Sequence, residues 1–112
     1  MSLPNLCHAL VLEAPEHISD GAGGFYQGWT VLGTLWAEIT AGTGRETSVS
    51  GAPTSRVTCK IIVRGAPFGS PDRPRPQQRF RDGARIFNIQ AVAERDVHGR
   101  YLICFAEEEN AI

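Results

Sequence analysis

Lysine and arginine are missing from the first 44 residues of this 112-residue chain, where Glu13, Glu16, Asp20 and Glu38 leave a charge of −4. Long apolar runs are missing too. None approaches the roughly 18 residues that a membrane-spanning helix needs, so no membrane partner is expected. The opening stretch MSLPNLCHALVLEAP has an apolar patch but no basic residue before it, and reads as a strand, not a signal peptide. Cysteine is scarce: Cys7, Cys59 and Cys104 are odd in number, widely spaced and without a CxxC pair. That argues against a disulfide framework or a zinc site. All three sit in apolar, strand-like segments and read as small buried hydrophobes of a protein made in a reducing compartment. No HxH or HExxH spacing links His8, His17 and His98, and there is no GxSxG elbow. No helical pattern follows Gly21, Gly23 and Gly24 that would make them a phosphate cradle. Nothing brings Asp20 and Glu38 together as a carboxylate pair. These absences argue against an enzyme, and no catalytic residue, cofactor or metal is expected.

What is present is a patterned β-sequence. Its organising stretch is Trp29 to Ile39, WTVLGTLWAEI. With period two, Trp29, Val31, Gly33, Leu35, Ala37 and Ile39 share one apolar face. Thr30, Leu32, Thr34, Trp36 and Glu38 share the other. A polar face that carries Leu32 and Trp36 needs a cover, either a loop or a neighbouring subunit, so these two are the candidate subunit interface. At 11 residues the run is long against the usual strand of about 5 or 6, and Gly33 predicts a bend or bulge within it.

Other strands follow the same logic. CHALVLE (Cys7 to Glu13) is a first strand. Pro15 to Gly28 is a glycine-rich turn region. In RVTCKIIVR, Val57, Cys59, Ile61 and Val63 point inward. Arg79 to Arg81 forms a short strand that turns at Asp82-Gly83, a strong hairpin signal, into RIFNIQAVAE. There Phe87, Ile89, Ala91 and Ala93 share a face. YLICFA is apolar on both faces, with Ile103 and Phe105 assigned to the core, and Glu107 to Glu109 begin a solvated tail. Thr43 and Glu46 have capping-box spacing, which allows one short helix over residues 43–50 before Pro53. Five strands stand out and short stretches add one or two more. Without interleaved helices they predict an all-β fold, a small antiparallel β-barrel with long loops, in a single domain over residues 1–112.

Net charge is −1, but residues 45–85 carry nine basic side chains and a charge of +6, and residues 86–112 carry −3. A basic middle between acidic ends fits a polyanion contact, head-to-tail packing of copies, or plain solvated charge. The basic stretch includes the loop GAPFGSPDRPRPQQ (Gly65 to Gln78). Arg73, Arg75, Arg79 and Arg81 lie within nine residues, spaced by Pro and Gln. A proline-stiffened arginine loop suits phosphate contact without sequence readout, or an acidic surface on an adjoining protein. These four are the candidate DNA- or partner-contact residues.

The order and spacing of the motifs resemble the phage head-tail joining family, the head-closure or stopper proteins of siphophages and gene-transfer agents. The matching segments are DGAGG (Asp20 to Gly24), the W…WAxI strand (Trp29 to Ile39) and GRE (Gly44 to Glu46). They continue with IxVR (Ile61 to Arg64), GxRxFxI (Gly83 to Ile89) and RYL (Arg100 to Leu102). The resemblance implies a β-barrel subunit that assembles as a ring, a hexamer favoured over a dodecamer, in the neck of a virion or phage-like particle. The ring would sit between the adaptor/portal complex and the tail terminator or tail. It would surround double-stranded DNA in the channel and help retain it, after assembly in the bacterial cytoplasm. The alternative is a monomeric β-barrel that binds single-stranded nucleic acid.

Overall fold

A computed structural model describes residues 3–41 and 57–109 of the chain. Those residues contain no helix. The helix expected over 43–50 lies outside them, as does the GRE segment. Six strands follow in order: β1 (His8–Ser19), β2 (Phe25–Ala41), β3 (Val57–Arg64), β4 (Arg79–Asp82), β5 (Arg85–Glu94) and β6 (Tyr101–Glu108). They pair antiparallel in the order β1-β2-β3-β6-β5-β4, and β4 returns to β1, closing the barrel that the alternation predicts. Closure leaves no wall strand wholly unpaired at its edge.

The interior is filled by alternate residues of every strand: Leu10 and Leu12, Ala37, Ile61 and Val63, Phe80, Phe87 and Ile89, Leu102 and Cys104. Two bulges decide which residues these are. Leu12 pairs with Gly33 but Glu13 pairs with Val31, so Leu32 is an extra residue in β2. The strand changes phase there. Leu35, Ala37 and Ile39 keep the expected inward face, and Leu32 also packs against the core. Trp29 and Val31 lie before the bulge and turn outward, with Val31 57% exposed. The bend foreseen at Gly33 is therefore real, but one face does not run through it. In β5 a second register shift falls between Ile89 and Ala91. Val92 then packs against the core where Ala91 and Ala93 were expected.

In β6 the expected face is reversed. Ile103 is half-buried and Phe105 39% exposed, while Leu102, Cys104 and Ala106 are buried. Pairing dictates this. Ile61 stands opposite Cys104 and Val63 opposite Leu102, and directly opposed residues share a face. At the end of the β3 row, Val57 is exposed. Other differences are local. The Pro15 to Gly28 region is mostly strand, with only Asp20 to Gly24 turning. Pro15 is tolerated because β1 pairs with β4 only at Val11 to Glu13, so that side of Pro15 has no strand to bond. Asp82 pairs with Arg85, so the tight turn is Gly83-Ala84. Glu108 is no tail residue: it ends β6 and takes a bidentate bond from Arg85 at 2.8 and 3.0 Å.

Leu102→Ala is expected to cost about 2–5 kcal/mol, as a large-to-small change inside a filled core. Val31→Ala, on the outer face, should stay within about 0.5 kcal/mol of the parent. Denaturant unfolding of the two variants checks the phase of both strands. Equal losses would mean that the bulge in β2 is misplaced.

Candidate functional site

The arginines foreseen as one contact cluster divide into three environments. Arg79 and Arg81, two apart on β4, emerge on its outer face beside β1. Between them lies the carboxylate of Glu13. Arg79 Nε donates to Oε1 at 2.7 Å and Arg81 Nε to Oε2 at 3.0 Å. The Arg79 guanidinium also lies 3.9 Å above the Trp29 ring. Glu13 is only 4% exposed. Burial opposes its ionisation, but the hydrogen bonds and charges of Arg79 and Arg81 outweigh burial and hold the carboxyl below its ordinary range. The like charges of Arg79 and Arg81 are thus offset within the chain.

Arg73 and Arg75 sit in the loop between β3 and β4. Successive turns order this loop, with Ser70 N bonding to Pro67 O, Arg73 N to Ser70 O and Gln78 N to Arg75 O. Pro74 is fully buried, and Gln77 and Gln78 extend the ladder toward Ile89. The loop is irregular, as its prolines require, but it carries its own internal order. Arg73 donates to Ala66 O at 2.8 Å and stacks 3.7 Å from the Phe68 ring centroid. Arg75 is exposed, and its side chain has no partner among the described residues. It is the most available of the four cations.

Trp36, the other outward expectation, is 58% exposed. It borders a cleft of about 390 Å³ between β2 and the loop segment from Arg64 to Asp72. Leu32, its proposed companion, is half-buried at the bulge against the core, so the structure does not place the two alike. The cysteines also divide. Cys59 and Cys104 are buried, and burial pushes the Cys104 thiol up to about 12, while Cys7 is exposed just before β1 begins. Among the described residues no group of three His, Cys, Asp or Glu side chains is placed to hold a metal.

Sequence reasoning missed two features. One is Glu13 as the shared counter-ion, although Arg79 and Arg81 at period two already placed both cations on one face. The other is the reach of the β1–β2 hairpin, which leaves Phe25 and Tyr26 71% and 56% exposed.

Glu13→Gln is expected to destabilise the fold by about 1.5–3 kcal/mol at neutral pH, the range for hydrogen bonds to charged groups. The carboxyl titrates lower in the folded chain than in the unfolded one, so its contribution is full above the ordinary value of 4.5. It fades as pH falls through the folded value. Denaturation of parent and variant across pH should show the gap narrowing in acid. A gap of the same size at every pH would mean that the carboxylate's charge contributes nothing.

Comparison with known proteins gives these features a context. The family model described as phage head completion protein matches residues 1–109. Among solved structures, a chain from the virion of a native gene transfer agent particle is 51% identical. The match covers 98% of this chain and 100% of that one, with a TM-score of 0.85. No curated protein sequence matches the chain. With the family model spanning all but the last three residues and a virion chain matched from end to end, the chain belongs to the phage head completion protein family, structural components of phage-type particles.

Proposed function

We propose that residues 1–112 form one barrel domain that serves as a head-tail neck subunit of a phage-like particle. Copies assemble as a ring, a hexamer favoured, between the adaptor/portal complex and the tail. The ring surrounds double-stranded DNA and helps retain it. The chain acts by assembly and not by catalysis. The observation that carries this reading is the end-to-end match, at 51% identity, to a chain of a gene transfer agent virion. The fold supports it, since a closed barrel is a rigid body that holds its shape under load while loops at its ends meet neighbours. Assembly in the bacterial cytoplasm precedes incorporation into the neck.

Arg73, Arg75, Arg79 and Arg81 are the proposed contact residues, toward DNA or an acidic surface of an adjoining neck protein. Arg79 and Arg81 also hold Glu13, so their surface role is shared with a structural one. Trp36 and Leu32 are the proposed subunit interface, with Trp36 supplying the open apolar surface. A monomeric barrel for single-stranded nucleic acid draws less support. The relative matched from end to end is a virion chain, which favours the neck subunit.

Electron microscopy of particles carrying a tagged copy of the chain tests the reading directly. A ring of this subunit at the head-tail junction is expected. Copies dispersed over the capsid would overturn it. Trp36→Ser should leave the isolated chain folded by thermal melt and reduce the yield of tailed particles. Arg73→Ala with Arg75→Ala should leave the fold intact and impair either tail joining or DNA retention. Particles that assemble, hold DNA and transfer genes normally would show these loop arginines to be solvated surface.

A further inference from the structure

The barrel does not contain all of its longest hairpin. β1 pairs with β4 only at Val11 to Glu13, and β2 pairs with β3 only at Ala37 to Ala41. From Ala14 to Ser19 and from Phe25 to Thr30 the two strands pair with each other and, among the described residues, with no other strand. The face that is inward at Leu10 and Leu12 continues as Ala14, Glu16 and Ile18, opposed by Thr30, Gly28 and Tyr26. Past Glu13 and before Ala37 the arm has, among the described residues, no pairing to β4 or β3. Phe25, at the tip, projects from the other face of the same arm. Two strands alone are marginal in water, and an arm that ends in Phe25 and Tyr26 presents apolar surface to be covered. The arm carries Glu16 and Asp20 and no lysine or arginine. Asp20 is committed to its turn, where Oδ1 accepts from the amides of Ala22 and Gly24, while Glu16 is exposed and accepts from Thr30 Oγ1 across the hairpin through Oε2.

A complementary surface lies on another wall. In the closed order of strands, β5 is three steps from β2 in either direction, so the two are on opposite walls. Beside β5, Phe68, Arg73, Pro74, Arg75, Pro76 and Val92 line a cleft of about 260 Å³. Its rim offers Phe68, 82% exposed, and the unpartnered Arg75 side chain. An acidic aromatic arm on one wall and a cationic, proline-lined cleft on the opposite wall match head to tail. That is a heterologous arrangement, which forms a ring where the rotation between copies closes.

We infer that the β1–β2 arm of one copy docks into the Phe68–Arg75–Val92 cleft of a second copy. Tyr26 packs against Pro76 and Phe68, and Glu16 pairs with Arg75. This rests on the ring reading above and adds a second contact between copies beside the one at Trp36. Both halves of the contact belong to one chain, so each copy offers an arm to one neighbour and a cleft to the other.

The test uses full-length chain in assembled particles, with Cys7→Ser removing the exposed native thiol. Tyr26→Cys and Arg75→Cys are introduced together and oxidised. A ladder of covalent multimers on a denaturing gel is expected, absent from either single variant. No ladder in particles that still show a ring of this chain by microscopy would overturn the docking and leave the ring reading standing. A Tyr26→Cys product joined to a different particle protein would overturn the choice of a second copy. Dispersed copies without a ring would overturn both. As an independent measurement, Glu16→Arg and Arg75→Glu should each lower the yield of tailed particles about tenfold, and the double exchange should restore it. Single changes without effect, or a double change without rescue, would overturn the pairing.

Discussion

The barrel depends on its shortest seam. β4 has four residues, and only three of them, Arg79, Phe80 and Arg81, pair with β1. Without that seam the sheet would be an open ribbon with two exposed edges. Inside the barrel, Phe80 stands opposite Leu12 and both are fully out of water. Outside, Glu13 is clamped between Arg79 and Arg81, with Trp29 beneath Arg79. Three pairs of backbone partners would hold such a seam weakly. An apolar pair on one side and a charge-assisted pair of hydrogen bonds on the other make it a closure and not a fraying end.

The seam also sets what happens at the barrel mouth. β4 is entered from the Gly65 to Gln78 loop, so fixing Arg79 anchors one end of that loop. The other end is held where Gly65 N donates to Arg100 O at 2.7 Å. The approach there is close enough that a Cβ on residue 65 would lie 2.0 Å from Gly99 O, so only glycine fits without moving backbone. Between these anchors Pro74 is buried, and the loop becomes part of the rigid body. The hairpin arm differs. It leaves the same end of the barrel unsupported, held by one ladder and the Asp20 turn. A ring subunit needs both kinds of part: a body that keeps its shape, and an element whose exposed surface is completed by a neighbour.

How much of this was legible depended on polar markers along each strand. β3 alternates Arg, Thr and Lys with apolar residues, and its inward row at Cys59, Ile61 and Val63 was readable from period two alone. β6 offers no such marker, since YLICFA is apolar on both faces, and its phase was set by pairing with β3. The two bulges hid for a related reason. A bulge is one unpaired residue in a ladder, and Leu32 and Gln90 are unpaired only with respect to partners distant in sequence. Gly33 announced a break in β2, but not that Trp29 and Val31 would change sides. Among the candidate contact residues, the cluster of arginines was visible at once. Their division was not, because Glu13 lies 66 residues from Arg79.

The sequence by itself determined the class of fold, the strands, the irregular loop and the segregation of charge, because these follow from local periodicity, proline and glycine geometry, and simple counting. The family, too, was readable from the order of its motifs. Only the tertiary structure decided which face of β6 is wet, where β2 and β5 change phase, which arginines are already paired, and that the β1–β2 hairpin outruns the barrel. Those outcomes depend on which strand lies beside which, and a barrel's register is fixed by closure around the whole ring, a constraint that no single stretch of residues carries.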